Sequence, residues 1–310
     1  PVEEVAVFEG GPEVSEALLE KRFDHVFFTG STRVGRSVAA AAARHLSTTT
    51  LELGGKSPAI VDASACLEKA AERILWGKFI NAGQTCVAPD HVLIHEDALS
   101  GFLEHARRIL STRYGATPEA RRECPSFCRL VSGGHLRGLA ALLDAAKAEG
   151  AKVAFGGGMD PAQRYMEPTL VTGVLPGSPL MREELFGPVL PILTFRDLDE
   201  AIRLVREGEK PLALYVFAES RDAVERVLRG TTAGGTSVNT VMVHLANPEL
   251  PFGGVGESGM GSYHGRHGFR TFSHERAVLR QGPLDTLRMF YPPYTEAVQG
   301  LLRKAMRFLA

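Results

Sequence analysis

Cysteine is scarce in this chain. Four thiols in 310 residues, Cys66, Cys86, Cys124 and Cys128, are too few for a disulfide framework at this length and point to a reduced, cytoplasmic compartment. An excess of one charge is also missing. The 35 Lys and Arg are balanced by 36 Asp and Glu, which removes the bulk electrostatic basis for binding nucleic acid. No apolar run approaches the ~18 residues that suggest a membrane span, and no signal peptide is visible. The first residue is Pro1 rather than Met, from which we expect a piece of a longer or processed protein. What is present is ordinary for a globular chain: 44% hydrophobic and 23% charged residues, enough for one large domain or two ordinary ones.

The first sixty residues alternate strand and helix. Val5–Phe8, His25–Phe28 and Thr48–Leu53 read as strands, with helices at Val14–Leu19 and Arg36–His45 between them. This order predicts a parallel sheet with helices on its faces, an α/β fold. A short strand at Ser57–Val61 leads to a helix over Ala65–Phe79, for which Ser64 is the expected cap. A strand at His91–His95 and a helix through Leu110 follow. Further strands are expected near Val153, Leu170, Val189, Leu214 and Ser237, with helices at 198–207 and 221–229. Glycine clusters at 156–158, 234–235 and 253–261 mark turns. After Tyr291-Pro-Pro-Tyr294, the residues Val298, Leu301, Leu302, Ala305 and Leu309 recur at helical spacing. Such a stripe fits a helix packed on its own protein or on a dimer partner. With Arg303, Lys304 and Arg307 beside it, a weak membrane-surface contact is the other reading.

Two strings carry chemistry. Cys86 lies in Asn81-Ala-Gly-Gln-Thr-Cys86, directly after a helical run, and Glu52 lies in Leu51-Glu-Leu-Gly-Gly-Lys-Ser-Pro58. A thiol in a glycine-containing loop suits nucleophilic attack, and backbone N–H groups there can stabilise a thiolate or an oxyanion. A carboxylate in an apolar run is suited to act as a general base. Gly30-Ser-Thr-Arg-Val-Gly35 follows a strand and opens a helix, which fits an anion such as a dinucleotide pyrophosphate. It has Arg36 where a P-loop needs Lys, and it is not the G-x-G-x-x-G fingerprint. Glu184-Leu-Phe-Gly-Pro188 pairs an acid with an aromatic before a strand. Cys66 reads as a structural thiol, and Cys124 and Cys128 lack the second ligand pair that zinc requires. His91 with His95, and His264 with His267, have no carboxylate pattern to complete a metal site, so no metal is expected.

Taken in order, Phe28-Thr-Gly-Ser-Thr32, Leu51–Pro58, Gly83-Gln-Thr-Cys86, Glu184–Pro188, Ser237-Val-Asn239 and Pro251-Phe-Gly-Gly254 resemble the aldehyde dehydrogenase superfamily over nearly the whole chain. Trp76-Gly-Lys-Phe79, Lys210–Tyr215, Ser258–Gly265 and Tyr291-Pro-Pro293 resemble its class 3 branch, which includes the fatty aldehyde dehydrogenases. The resemblance implies an aldehyde-dehydrogenase-like fold, with a partial Rossmann-type cofactor domain plus an α/β catalytic domain. We expect the C-terminal part of the dinucleotide-binding domain at 1–53, the catalytic thiol domain at 54–270 and an oligomerisation extension at 271–310. It implies oxidation of an aldehyde to a carboxylic acid with NAD or NADP, through a thiohemiacetal and a thioester on Cys86, with Glu52 activating water. Gly30 and Ser31 would lie near the pyrophosphate, Glu184 would hold the nicotinamide ribose with Phe186 beside the ring, and Asn239 would stand near the substrate. The enzyme would be a homodimer. Family chains begin well before this one, with an oxyanion-hole Asn and an adenosine-ribose Lys in that earlier part; losing such an oxyanion donor costs ~10²–10³ in rate. A catalytically silent protein with a binding or structural role is the alternative. Glu123–Arg129 replaces a glycine-containing family segment, and the sequence gives no account of that change.

Overall fold

The computed structural model describes residues 3–284 and 291–309. In chain order the elements are α1 (Pro12–Leu19), β1 (His25–Thr29), α2 (Thr32–Arg44), β2 (Thr48–Glu52), β3 (Pro58–Val61), α3 (Leu67–Phe79), β4 (His91–His95), α4 (Leu99–Tyr114), α5 (Pro118–Glu123) and α6 (Gly133–Ala148). They continue with β5 (Lys152–Phe155), β6 (Met159–Asp160), β7 (Tyr165–Met166), β8 (Thr169–Thr172), β9 (Val189–Phe195), α7 (Leu198–Glu207), β10 (Ala213–Phe217), α8 (Arg221–Gly230), β11 (Gly235–Val238), β12 (Gly259–Met260), α9 (Gly265–Thr271) and α10 (Glu296–Leu309). The chain divides into two compact units, Pro1–Phe272 and Ser273–Ala310.

The α/β class is as the strand–helix alternation predicts, but the strands form two main sheets rather than one. The large sheet has the order β11-β10-β3-β4-β9-β8-β5, parallel except for β5 at its edge. Its central strands are buried on both faces, as parallel strands between helix layers must be. Alternate residues feed opposite cores. Ala59, Val61, Val92, Ile94, Tyr215 and Phe217 pack with α3 and α4, while Ile60, Leu93, Leu193, Leu214 and Val216 pack with α6, α7 and α8. In α7 the buried set Leu198, Ala201, Ile202 and Val205 follows the spacing of one helix face.

The small sheet is β1-β2-β12, with β1 and β2 parallel and β12 antiparallel to β2. Its fully buried apolar core is Val38, Leu51 and Leu53. Val5–Phe8 is not a strand; it is exposed and has no ladder partner among the described residues. Ser64 does not cap α3, whose N-cap is Cys66. Its hydroxyl donates to Asp62 Oδ2 at 2.6 Å and accepts the N–H groups of Glu219 and Ser220 at 3.1 and 3.0 Å, tying the end of β3 to the end of β10. The C-terminal stripe lies on α10; the side chains of Ala305 and Leu309 are outside the described set. Among the described residues no helix is long and apolar enough to cross a membrane.

Candidate active site

The thiol loop begins where α3 ends. Asn81, Ala82 and Gly83 follow one another with φ of 51°, 52° and 77°. Left-handed backbone costs an L-residue about 1–2 kcal/mol, so a run of three needs external support. Gly83 is required twice over, because a Cβ there would also meet the carbonyl of Gly187. The support comes from Gln84. Its amide donates to the carbonyls of Asn81 and Arg129, both at 3.1 Å, and accepts the N–H of Val131 at 2.8 Å. The Asn81 amide donates back to Gln84 O at 3.0 Å. A turn closed by Ala88 N–H to Thr85 O at 2.9 Å then carries Cys86. The buried Tyr215 hydroxyl donates to Val87 O and fastens the far side of that turn.

Glu52 comes from the other sheet, as the last residue of β2, paired with Thr29 on one side and Gly259 on the other. It is 3% exposed, and neither carboxylate oxygen has a hydrogen-bond partner. Burial therefore raises its pKa to about 7. The Cys86 thiol is pushed up to about 11, first by burial and then by the charges of Glu184 and Glu52. The backbone N–H groups of Cys86 and Val87 pull the other way and are outweighed. The sulfur thus lies within electrostatic reach of two carboxylates, and at neutral pH it holds its proton.

Glu184 stands over Gly54: a Cβ on that glycine would fall on its carboxylate. Burial, then the neighbouring Asp90, raises Glu184 to about 8, against the Gly55 N–H and the charges of Lys78 and Lys56. Those partners form one network. Lys56 donates to Asp90 Oδ2 and, at 2.9 Å each, to the carbonyls of Leu180 and Glu183. Asp90 Oδ1 accepts Leu185 N–H at 2.9 Å. Burial alone would raise the Asp90 carboxyl, but the charges of Lys56 and Lys78 hold it below its ordinary value. Lys78, 1% exposed, is lowered to about 8 by that burial.

The remaining predicted positions fall as follows. Gly30 donates its N–H to Glu52 O at 3.0 Å, and Ser31 is the N-cap of α2, accepting Val34 N–H at 3.4 Å. Phe186 is 37% exposed, has φ of 45°, and accepts the His135 Nε2–H at its carbonyl at 2.9 Å. The Gly83–Gly187 approach sets this segment against the thiol loop. Asn239 directly follows β11. Its amide accepts Ala218 N–H at 3.0 Å and donates to Ala218 O at 2.9 Å, joining the ends of β10 and β11. Sequence reasoning missed the Lys56–Asp90–Lys78 network and Tyr215. A lysine among the apolar residues of α3 and a tyrosine inside an all-buried strand were the available signals, since both need a polar partner.

Residues 1–278 match the aldehyde dehydrogenase family. The 4,4'-diaponeurosporen-aldehyde dehydrogenase of Staphylococcus aureus is 45% identical over 290 residues, covering 94% of this chain and 62% of that protein. The dimeric NADP-preferring aldehyde dehydrogenase of Rattus norvegicus is 46% identical over 290 residues, covering 93% and 62%. A substrate-bound structure of Staphylococcus aureus AldH superposes with a TM-score of 0.89 at 43% identity, covering 98% of this chain and 64% of that one. The chain therefore spans about 62% of the length of these curated relatives. Its matched residues and its fold agree, and the chain belongs to the aldehyde dehydrogenase family.

Proposed function

We propose that this chain carries the nucleophile and the hydrolytic base of an NAD(P)-dependent oxidation of an aldehyde to a carboxylic acid. The observation that carries the reading is a half-buried thiol beside a buried carboxylate with no hydrogen-bond partner. Cys86 Sγ bonds to the aldehyde carbon as the C=O π bond opens and the thiol proton passes to the carbonyl oxygen, giving a thiohemiacetal. A nicotinamide dinucleotide, when bound, would supply the hydride acceptor for oxidation of this adduct, which also loses its hydroxyl proton, to a thioester. Glu52, ionised above about pH 7, removes a proton from water, whose oxygen displaces the thiolate and frees the acid.

The residues suit such a cofactor. The α2 N-terminus opens directly after β1, so Gly30 and Ser31 are proposed to face the pyrophosphate. The Glu184 carboxylate lies over a residue with no side chain to cover it, and the exposed Phe186 ring follows two residues later. We assign these to the ribose and the ring. Asn239 enters as a positioning residue near the substrate, because its amide is engaged by Ala218. The division at 1–53, 54–270 and 271–310, the homodimer and the cytoplasmic setting belong to the same proposal. The rat relative's name supports the dimer, and four free thiols support the setting. The membrane-surface contact is not carried further.

The rival, binding without turnover, draws on the raised Cys86 thiol. Incubation with an aldehyde and each dinucleotide, followed by peptide mass analysis, separates the two. Glu52→Gln should accumulate an acyl adduct on the Cys86 peptide after one turnover, and Cys86→Ala should form none. No adduct and no reduced cofactor with any aldehyde would favour binding alone.

A further inference from the structure

A cleft of about 390 Å³ opens on the face of the large sheet opposite the one against which Cys86 packs. Pro58, Leu93, Leu193 and Pro211 form its floor, and Leu204 and Val205 of α7 form one wall. An engineered cavity of about 150 Å³ takes a benzene ring, so this one accommodates a single ring or a short alkyl chain with a head group. His91 lines it, is 7% exposed, and has an Nδ1 with no hydrogen-bond partner. Burial pushes that imidazole down to about 3, so it is neutral.

The charges around the cleft decide what it would hold. Lys56 lines it, but its three donors go to Asp90, Leu180 O and Glu183 O. Its ammonium is therefore not free to receive an anion. Arg182, Glu207 and Glu209 also line the cleft, and Glu207 pairs with Arg203 at 2.9 Å. Neither sign dominates, and a charged ligand would lose its hydration without a partner. We infer that this cleft is a binding site for a small uncharged amphiphile, an apolar ring or chain with one hydroxyl or carbonyl, seated beside the His91 ring that lines it. Met181 and Arg182 form part of its wall and Lys56 anchors the carbonyls at 180 and 183, so a bound molecule would lie against the segment that carries Glu184. The site stands independently of the dehydrogenase reading.

Benzyl alcohol is a suitable probe, titrated into the 310-residue chain with ¹³C-labelled histidine rings. The His91 signal is assigned by its loss in His91→Phe. We expect a saturable shift of that signal, and affinity roughly tenfold weaker or worse in Leu204→Trp, which fills the cleft. The other histidine signals report whether that variant is folded. In the unmodified chain, intermolecular nuclear Overhauser effects should connect the probe ring to the methyls of Leu93, Leu193 and Leu204, which decides the matter if the variant does not fold. Benzoate should bind at least roughly tenfold more weakly. A shift linear in probe, a shift unchanged by Leu204→Trp in a folded variant, effects confined to residues near Cys86 such as Leu245, or equal binding of benzoate would each overturn the assignment.

Discussion

The two sheets that meet at the candidate site differ in how they are built. The large sheet lies between two cores, and the Cys86 loop is fastened to it by Tyr215 from β10, while Gln84 ties the loop to the connection at Arg129 and Val131. Among the described residues, the small sheet, which delivers Glu52, has Val38, Leu51 and Leu53 as its cluster of buried apolar side chains. Val7, Phe8 and Leu46, at 83%, 63% and 93% exposure, show how much apolar surface this region leaves to solvent. The proposed nucleophile is thus held by the strong part of the molecule and the proposed base by the weak part. Local stability need not be uniform across a domain, and here the division runs between the two residues assigned to one reaction.

The same chemical change in each sheet sharpens this contrast most. Leu93→Ala, in the large core, should cost about 4–5 kcal/mol, whereas Leu51→Ala should cost about 2.5 kcal/mol, because a thinly packed site collapses more easily around the void. Both leucines are almost fully buried, at 1% and 2% exposure. Urea unfolding of the two variants measures the difference, and equal costs would break the comparison. Next in size is Glu52→Gln. The folded-state carboxyl is raised from 4.5 to about 7, so ionisation opposes folding: stability falls as pH rises from 4.5 towards 7 and is flat above. The substitution should therefore stabilise by about 3 kcal/mol at pH 8 and by nothing below about pH 4. A gain independent of pH would mean that the carboxylate is not the source. The smallest effect is expected from Gln84→Met, which frees the carbonyls of Asn81 and Arg129 and the N–H of Val131. We expect a loss of about 1–2 kcal/mol and a faster, peptide-resolved alkylation of Cys86 at unchanged far-UV circular dichroism. An unchanged alkylation rate would show that the strong sheet holds the loop without this clamp.

Much of the fold was legible because period and punctuation are local signals. The strand at Pro58–Val61, the helix at Leu67–Phe79 and the pair at 198–207 and 221–230 lie where apolar spacing puts them, although the expected Ser64 cap does not form. The helix at Gly133–Ala148 was overlooked although Ser132 caps it and Leu136, Leu139 and Leu143 repeat along it. Val5–Phe8 has strand composition, but a strand exists only beside another. The two-residue strand at Gly259–Met260 was unreadable because its partner, β2, is about two hundred residues away and its sequence is mostly turn-forming. At the site, Cys86 and Glu52 stood out by residue type and setting. The clamp did not, since Gln84 finds Arg129 and Val131 45 and 47 residues downstream. Asn239 is expected near the substrate; that Ala218, in the preceding strand connection, engages its amide is a contact only the fold could reveal.

The half-burial of Cys86 also bears on how this protein can be labelled. Its thiol is raised to about 11, while Cys128 is exposed at the surface. A maleimide or iodoacetamide tag applied near neutral pH should mark Cys128 first and the nucleophile late. Counting labels per chain would then overstate the number of functional sites. A cysteine-directed probe, a covalent inhibitor screen or a tethered dye must be read peptide by peptide, or applied to a Cys128→Ser background, before any stoichiometry is taken as a census of working nucleophiles.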